Sequence, residues 1–428
     1  MMTKVLKLAG RMLVPGIGQI YNGQKIKGLF FLGIFLVFLG EIFFWGSDFL
    51  NNIITLGKVP IKDNSLFYLV EGTIQILIIV VFLFFWIISM IDVRNVKKKK
   101  EQGEKINRTI KEHWITVSKQ GFPYLLTIPA YIFMLISIVF PVLVSILISF
   151  TNYDFEHTPP AQLLNWVGLD NFSTIVTNEL IRNTFFKVLE WTLIWTFTAT
   201  TLQIVIGITL AVILNKEGLK FKRIFGVIFL LPWAVPAFIT IMSFSNIFSD
   251  SAGAINTQVI PLINTIFPFF DLTSIPWKTD PFWTKVAIVL VQGWIGFPYI
   301  YIMVSGILQS IPKDLYEAAT VDGATSFQRF RSITLPSILL IAAPTFITQY
   351  VGNFNNFSTI YLFNNGGPGS VGVGAGETDI LISWIYKLVT GNSPQYSFAA
   401  AITLVISFFI IASSLLVFKR TKAFKLED

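Results

Sequence analysis

The sequence predicts an all-α polytopic membrane protein with eight transmembrane helices. Hydrophobic residues make up 54% of the 428 residues, charged residues only 13%, and the mean hydropathy is +0.68. A helix needs roughly 20 apolar residues to cross a bilayer core of about 30 Å. Apolar runs of this kind recur along the chain, and we predict crossings at residues 28–45, 66–91, 122–150, 186–214, 224–248, 285–311, 337–363 and 397–418.

Lysine and arginine predict the orientation of these helices. With the amino terminus inside, the predicted inner segments hold 25 of the 32 basic residues. An excess on one side sets topology by the positive-inside rule, so we predict that both termini are cytoplasmic. Contact with anionic membrane lipid accounts for the net charge of +8, and no nucleic-acid partner is predicted.

Metal chemistry has no support in the sequence. The chain has no cysteine, which excludes disulfides and thiolate metal sites. His113 and His157 fall on opposite sides of the predicted membrane and cannot share a metal ion. No crossing carries an acid or a base near its centre; Glu41 lies toward the outer end of the first crossing and Glu190 near the outer start of the fourth. We therefore predict no metal site and no catalytic residue.

Residues 1–121 form the first predicted division of the chain. Lys4, Lys7 and Arg11 fall on one side of a helix, which suits a helix lying on the anionic inner leaflet. A simple orientation signal is an equally good interpretation of these charges. Two crossings follow, and then a basic cytoplasmic loop that begins with the lysine run 97–100.

A polar island, IPKDLYEAATVDGATSFQRFRSITLP, separates two long apolar runs at residues 311–336. Pro312 opens a helix, and Asp322-Gly323 supplies a turn before a second helix, with Gly323 free to adopt a positive φ. Ala318 leaves a small surface for close approach, and Glu317 offers a carboxylate to a cation. The alternative is an ordinary cytoplasmic loop with a solvated glutamate.

The island resembles the EAA signature of ABC-importer permeases. The resemblance rests on Glu317-Ala318-Ala319, Gly323 and the later Ile333, Leu335 and Pro336. It implies the type I ABC-importer permease fold, with this loop inserted in a groove of an ATP-hydrolysing partner. The coupling residues would be Glu317, Ala318, Ala319, Asp322 and Gly323. ATP and Mg would then belong to the partner ATPase subunits, since this chain has no phosphate-binding loop and no cofactor is predicted on it.

Residues 122–428, the second predicted division, are similar to the larger permease subunit of the maltose and maltodextrin transporters, the MalF type. The similarity rests on LPWAVP at 231–236, GNFNNF at 352–357 and NGGPG at 365–369. It implies a core of six crossings in a bacterial cell membrane. The implied partners are a second permease subunit of the MalG type, two ABC ATPase subunits, an extracellular sugar-binding lipoprotein and an oligosaccharide. The short outer segment 151–185 departs from Gram-negative relatives and fits a Gram-positive version.

Polar side chains in the sixth and seventh crossings predict the path of the solute. Two trios follow the spacing i, i+4, i+7, which are Gln292, Gly296 and Tyr299 in the sixth crossing and Gln349, Asn353 and Asn356 in the seventh. This spacing puts each trio on one helix face. Amides at membrane depth are costly against lipid, so they must face each other or a wet cavity. Bonding between helices is the simpler explanation on the residues alone.

The resemblance favours the second explanation, a cavity that binds sugar. It assigns all six positions to the substrate site, and four of them match the family by residue type. Gln292 stands where an asparagine is expected and Gln349 where a serine is expected, which leaves the detailed sugar preference open.

Three functions compete at this point. The first is the permease subunit of an ATP-driven importer of maltose or maltodextrin-type oligosaccharides, which is not itself an enzyme. A self-contained secondary sugar carrier would need ion coupling, and a polytopic glycosyltransferase would need clustered carboxylates or a metal near one membrane face. Only the first function requires the island at 311–336.

Overall fold

The computed structural model describes residues 13–103, 117–216 and 218–421. Within these ranges the chain is helical and has no β-strand, apart from one isolated bridge between Thr151 and Trp166. The all-α prediction is confirmed. The predicted helix carrying Lys4, Lys7 and Arg11 lies outside the described residues.

Two compact units make up the chain, Met1–Gly168 and Leu169–Asp428. The predicted division after residue 121 follows a family resemblance, whereas these units follow packing, and the earlier division stays a prediction. Within the described residues, the first unit contains one short helix, α1 Ile17–Tyr21. Three long helices follow it, α2 Lys25–Thr55, α3 Ser65–Glu101 and α4 Phe122–Ile148.

The second unit contains the remaining helices. In chain order they are α5 Asp170–Thr177, α6 Glu179–Leu214, α7 Lys222–Ile228, α8 Leu231–Ala234, α9 Ala237–Ile247, α10 Ile260–Ile266, α11 Pro281–Ser310, α12 Lys313–Val321, α13 Ser326–Arg329, α14 Leu335–Phe354, α15 Phe357–Asn364, α16 Leu381–Thr390 and α17 Tyr396–Thr421.

Seven helical segments within the described ranges are long and apolar enough to cross a membrane. They match seven of the eight predicted crossings. The predicted crossing at 224–248 is instead divided into α7, α8 and α9. Pro232 and Pro236 lack the N–H that a continuous helix needs, so the backbone breaks there. The count of eight stays a prediction.

Close backbone approach holds the first unit together near its amino-terminal helices. Gly16 has φ +94°, and a Cβ added to it would lie 2.2 Å from the carbonyl oxygen of Gly28. The buried Gln19 amide donates to the Ser89 carbonyl at 3.1 Å, and Asp92 pairs with Lys27. These contacts fasten α1 and the start of α2 to α3.

Helix α6 packs along α11 in the second unit. Gly207 allows this contact, because a Cβ there would lie 2.5 Å from the Cβ of Ile300. Trp195 of α6 is fully buried in a core that also contains Ile288 of α11 and Ile360 of α15. The helices that carry the predicted substrate residues are therefore fixed against one another.

The loop between α15 and α16 is closed over a buried carboxylate. The fully buried Asp379 side chain accepts hydrogen bonds from the Gly376 N–H and the Ser383 hydroxyl, and it pairs with Lys387. Gly366 has φ +72°, and a Cβ added to it would lie 1.9 Å from Asp379 Oδ1. Glycine is therefore required where the NGGPG motif crosses this carboxylate.

Candidate functional site: an amide cluster and a helix–turn–helix

The island at 311–336 folds as predicted. Helix α12 begins at Lys313 directly after Pro312, and Gly323 adopts φ +78° in the turn that follows. Thr325 and Gln328 form a capping box that starts α13. The helix, turn and second helix are confirmed.

The five predicted coupling residues lie on this element. Glu317, Ala318, Asp322 and Gly323 are exposed, and Ala319 is half-buried. The Arg329 guanidinium donates to the Thr320 hydroxyl at 2.6 Å, which ties α13 to α12. A carboxylate on a braced, exposed helix can form a charge-assisted bond with a partner. The coupling role of these residues stays a prediction.

A break in the seventh crossing positions its asparagines. Helix α14 ends at Phe354 and α15 begins at Phe357, with Asn355 and Asn356 between them. The Asn356 side chain caps α15 by accepting a hydrogen bond from the Thr359 N–H at 3.2 Å. The predicted face therefore continues across a break in the helix.

Gln292 of α11 meets this break. Its Oε1 accepts hydrogen bonds from Asn356 Nδ2 and from the Thr359 hydroxyl, both at 2.9 Å. Asn353 lies beside them, with its Oδ1 3.4 Å from Asn356 Nδ2. The structure thus brings Gln292, Asn353 and Asn356 together, as the two trios predicted.

Asn353 also bonds to α6. Its Nδ2 donates to the Thr200 hydroxyl at 2.9 Å, and its backbone carbonyl accepts from the Trp195 indole at 2.9 Å. The side chain is buried. Asn353 therefore joins α14 to α6 and also contacts Asn356.

Gln349 pairs with a residue that the sequence argument did not select. Its Oε1 accepts a hydrogen bond of 3.0 Å from Nε2 of Gln203, which is fully buried on α6. A Cβ added to Gly296 would lie 1.9 Å from Gln203 Oε1. Gly296 therefore provides the space for the Gln203 amide, and we call Gln203, Gln292, Gln349, Asn353 and Asn356 the amide cluster.

Tyr299 forms no hydrogen bond with these amides. Its side chain is 38% exposed, and its hydroxyl has no hydrogen-bond partner among the described residues. The ring lies 6.1 Å, centroid to centroid, from Trp233 of α8, whose indole donates to the Ile295 carbonyl at 3.2 Å. Two exposed rings therefore stand side by side, where the sequence predicted one.

A third trio was missed. Thr196, Thr200 and Gln203 of α6 repeat the spacing i, i+4, i+7 and are all buried. The same rule that selected the other two trios could have found this one.

The cluster contains only neutral groups. Amides both donate and accept, so they can bind hydroxyl groups of an uncharged solute. In this structure they bond mainly to one another and to threonine hydroxyls, which is also what interhelical bonding requires. The substrate role of the six predicted positions stays a prediction.

Comparison with known proteins identifies the class. Residues 203–422 match the model of the family described as binding-protein-dependent transport system inner membrane component. The chain belongs to this family. It is therefore a multi-pass membrane permease of an ABC import system, in which ATP hydrolysis is a separate component.

Two relatives match over nearly the whole chain. The maltodextrin transport system permease protein MalC of Streptococcus pneumoniae is 56% identical over 97% of this chain and 96% of its own length. The maltodextrin transport system permease protein MdxF of Bacillus subtilis is 56% identical over 100% of this chain and 98% of its own length. The resemblance inferred from the sequence motifs is confirmed.

One solved structure shares the fold. A bacterial ABC transporter involved in the import of the acidic polysaccharide alginate aligns with a TM-score of 0.57, covering 74% of this chain and 99% of that chain. At 20% identity the likeness concerns the fold alone. The predicted importer-permease fold is confirmed.

Proposed function

We propose that this chain is the permease subunit of an ATP-driven importer of maltodextrin-type oligosaccharides, and that it forms half of the translocation path. The observation that carries the proposal is the amide cluster, a set of buried and half-buried neutral donors and acceptors between helices at membrane depth. A charged solute would need a buried counter-charge. Relatives named for maltodextrin transport support the same cargo.

The coupling step is assigned to α12 and α13. Glu317 binds a cation in a groove of the ATPase, and the small residues Ala318 and Ala319 allow close contact. The exposure of Glu317 and Ala318 and the bond between Arg329 and Thr320 support a rigid docking surface. Motion of the ATPase then reaches α14 through the π-helical segment Phe330–Thr334, which joins it to α13.

The remaining partners are a second permease subunit, two ABC ATPase subunits and a lipid-anchored extracellular sugar-binding protein. We place both termini in the cytoplasm of a Gram-positive bacterium. Because the chain has no cysteine, the orientation can be tested with single cysteines and an impermeant reagent in intact cells. Cysteine at Asn178 or Asp271 is expected to react from outside, and cysteine at Gly103 or Thr325 is not. Labelling of the Thr325→Cys variant from outside would overturn the orientation.

Uptake of sugar in proteoliposomes tests the cargo. The complete transporter should import maltotriose in an ATP-dependent manner, and excess maltodextrin should compete, whereas dipeptides and inorganic ions should not. Asn353→Ala, Asn356→Ala and Tyr299→Ala should each impair uptake while the complex still assembles. Each lost hydrogen bond to a sugar hydroxyl is expected to raise the apparent KM or lower the rate by roughly ten-fold.

Asn355→Ala is the matched control, because Asn355 is exposed and its side-chain amide bonds, among the described residues, only to the Val351 carbonyl of the preceding helix α14. Uptake at the wild-type rate by the three site variants would indicate that the amide cluster only bonds the helices to one another. If the wild-type transporter imports a peptide or an ion in preference to the sugar, the proposed cargo is wrong.

A further inference from the structure

The first unit has a partly open cavity of about 770 Å³ between α2, α3 and α4. Its walls are aliphatic and aromatic side chains, among them Ile78 and Phe82 of α3 and Leu135 of α4. The size falls within the range of about 300–1,000 Å³ that is typical of small-molecule sites. All three helices belong to the predicted crossings, so the cavity lies at membrane depth.

One ionisable side chain lines this cavity, the half-buried Glu41 of α2. It has no ion-pair partner within the described parts of the chain. A carboxylate inside a bilayer is rare and marks a functional site unless a partner compensates it. Glu41 is also one of the few polar groups on a helix that is otherwise strongly apolar.

Gln75 holds one oxygen of the Glu41 carboxylate, and the other oxygen has no hydrogen-bond partner among the described residues. Gln75 is fully buried on α3, and its Nε2 donates to Glu41 Oε2 at 3.1 Å. Gly46 leaves the space for this amide, since a Cβ there would lie 2.7 Å from Gln75 Nε2. The Oε1 atom of Gln75 is buried without a hydrogen-bond partner among the described residues.

The cavity extends inward from this polar end. Gln75 lies ten residues inside the first residue of α3, about 15 Å along the helix. Phe85, which lines the cavity, is ten residues further along α3, whereas Gln75 lies behind the lining and reaches the cavity only through Glu41. The site therefore has one polar group, the Glu41 carboxylate, which accepts hydrogen bonds, and an apolar length of about 15 Å beyond it.

From these observations we infer that the first unit carries a binding site for a membrane amphiphile whose polar end donates a hydrogen bond. The donor, an amine or a hydroxyl, bonds to Glu41, and the apolar chain lies against Ile78, Phe82 and Leu135. An anionic or donor-free head group is disfavoured, because the polar end offers a carboxylate and no cation. The site is separate from the amide cluster of the second unit.

Native mass spectrometry of the full-length protein in its assembled transporter tests this site with three probes of equal chain length. Oleylamine and oleyl alcohol can donate a hydrogen bond, and methyl oleate cannot. We expect one equivalent of the amine and of the alcohol to be retained, each at least ten-fold more tightly than the ester. Glu41→Leu should reduce this preference to less than two-fold.

Ile78→Trp should fill the cavity and lower retention of all probes. Ile88→Trp is its matched control, since Ile88 is exposed on the same helix and does not line the cavity. A Glu41→Gln variant keeps an acceptor but loses the charge, and so it should still retain the alcohol more tightly than the ester and should bind the amine no more tightly than the alcohol. Equal retention of all three probes, or retention unchanged by Ile78→Trp, would make this an ordinary lipid-facing groove. Retention of none by the assembled transporter would mean that another protein chain covers it, and would also overturn the inference.

Discussion

The two units bury different shares of their apolar helices. In the most apolar stretch of each long helix, 11% of the residues are buried in α2 and in α3 and none in α4, against 33% in α6, 44% in α11, 22% in the segment Ser326–Asn364 and 17% in α17. The buried face of α6 is rich in small and polar residues, such as Ala199, Thr200, Gln203 and Gly207. Apolar character therefore brings a helix into the membrane, whereas small and polar residues bring helices together inside it.

The largest effect is expected where the second unit acts on another chain. If Glu317 forms the proposed charge-assisted bond, worth about 1.5–3 kcal/mol, coupled uptake by Glu317→Ala should fall roughly ten- to a hundred-fold. Uptake and ATP hydrolysis should be measured together in proteoliposomes. Asp314→Ala, which changes another exposed acid of α12, is the control and should stay near wild type. Normal transport by the Glu317 variant would remove the coupling role.

The next effect tests close packing directly. Gly296→Ala puts a methyl group where Gln203 Oε1 lies 1.9 Å away, so we expect a loss of about 1–3 kcal/mol in stability from overpacking, with lower uptake. Gly306→Ala on the same helix and Gly33→Ala in α2 meet no atom within 4 Å. Both controls should unfold at or above the wild-type temperature in a thermal denaturation assay. If all three variants unfold at the same temperature, the inferred difference in helix packing between the units is wrong.

The smallest effect concerns the loop between α2 and α3. Hydrogen bonds from the Lys58 and Val59 N–H groups and the Tyr68 hydroxyl lower the pKa of Asp63 below its ordinary value of 3.8. The bound carboxylate stabilises the loop above pH 3.8, and this contribution is lost as the pH falls through the lower folded value. A fluorescent label on an Ile61→Cys variant should report a transition below pH 3.8. The same label in an Asp63→Asn background should show no transition there.

The sequence was sufficient for features that depend on one helix. Seven of the eight predicted crossings, the positive φ of Gly323 and the faces that carry Gln292 and Asn353 follow from spacing and local preference. The third trio was missed because threonine is unremarkable in an apolar helix and often bonds to its own backbone, as Thr196 does to the Thr192 carbonyl. Its role becomes apparent only in the structure, where the Thr200 hydroxyl accepts a hydrogen bond from the Asn353 side chain.

Other features depend on partners that are distant in sequence. Hydropathy is continuous through residues 224–248, and so it did not reveal that Pro232 and Pro236 divide that segment into three helices. Asp379 and Lys387 pair because Gly366 lets the chain cross over the carboxylate, a contact that no local pattern encodes. The cavity beside Glu41 likewise requires three helices at once.

The two polar atoms of Asn356 have separate tasks, and this limits which residues can replace it. Its oxygen holds the first turn of α15, while its nitrogen reaches Gln292. Aspartate would keep the cap and lose the donor, and alanine would lose both. A solute hydroxyl could therefore take over the nitrogen without unwinding α15, so the position can exchange partners while the helix keeps its shape.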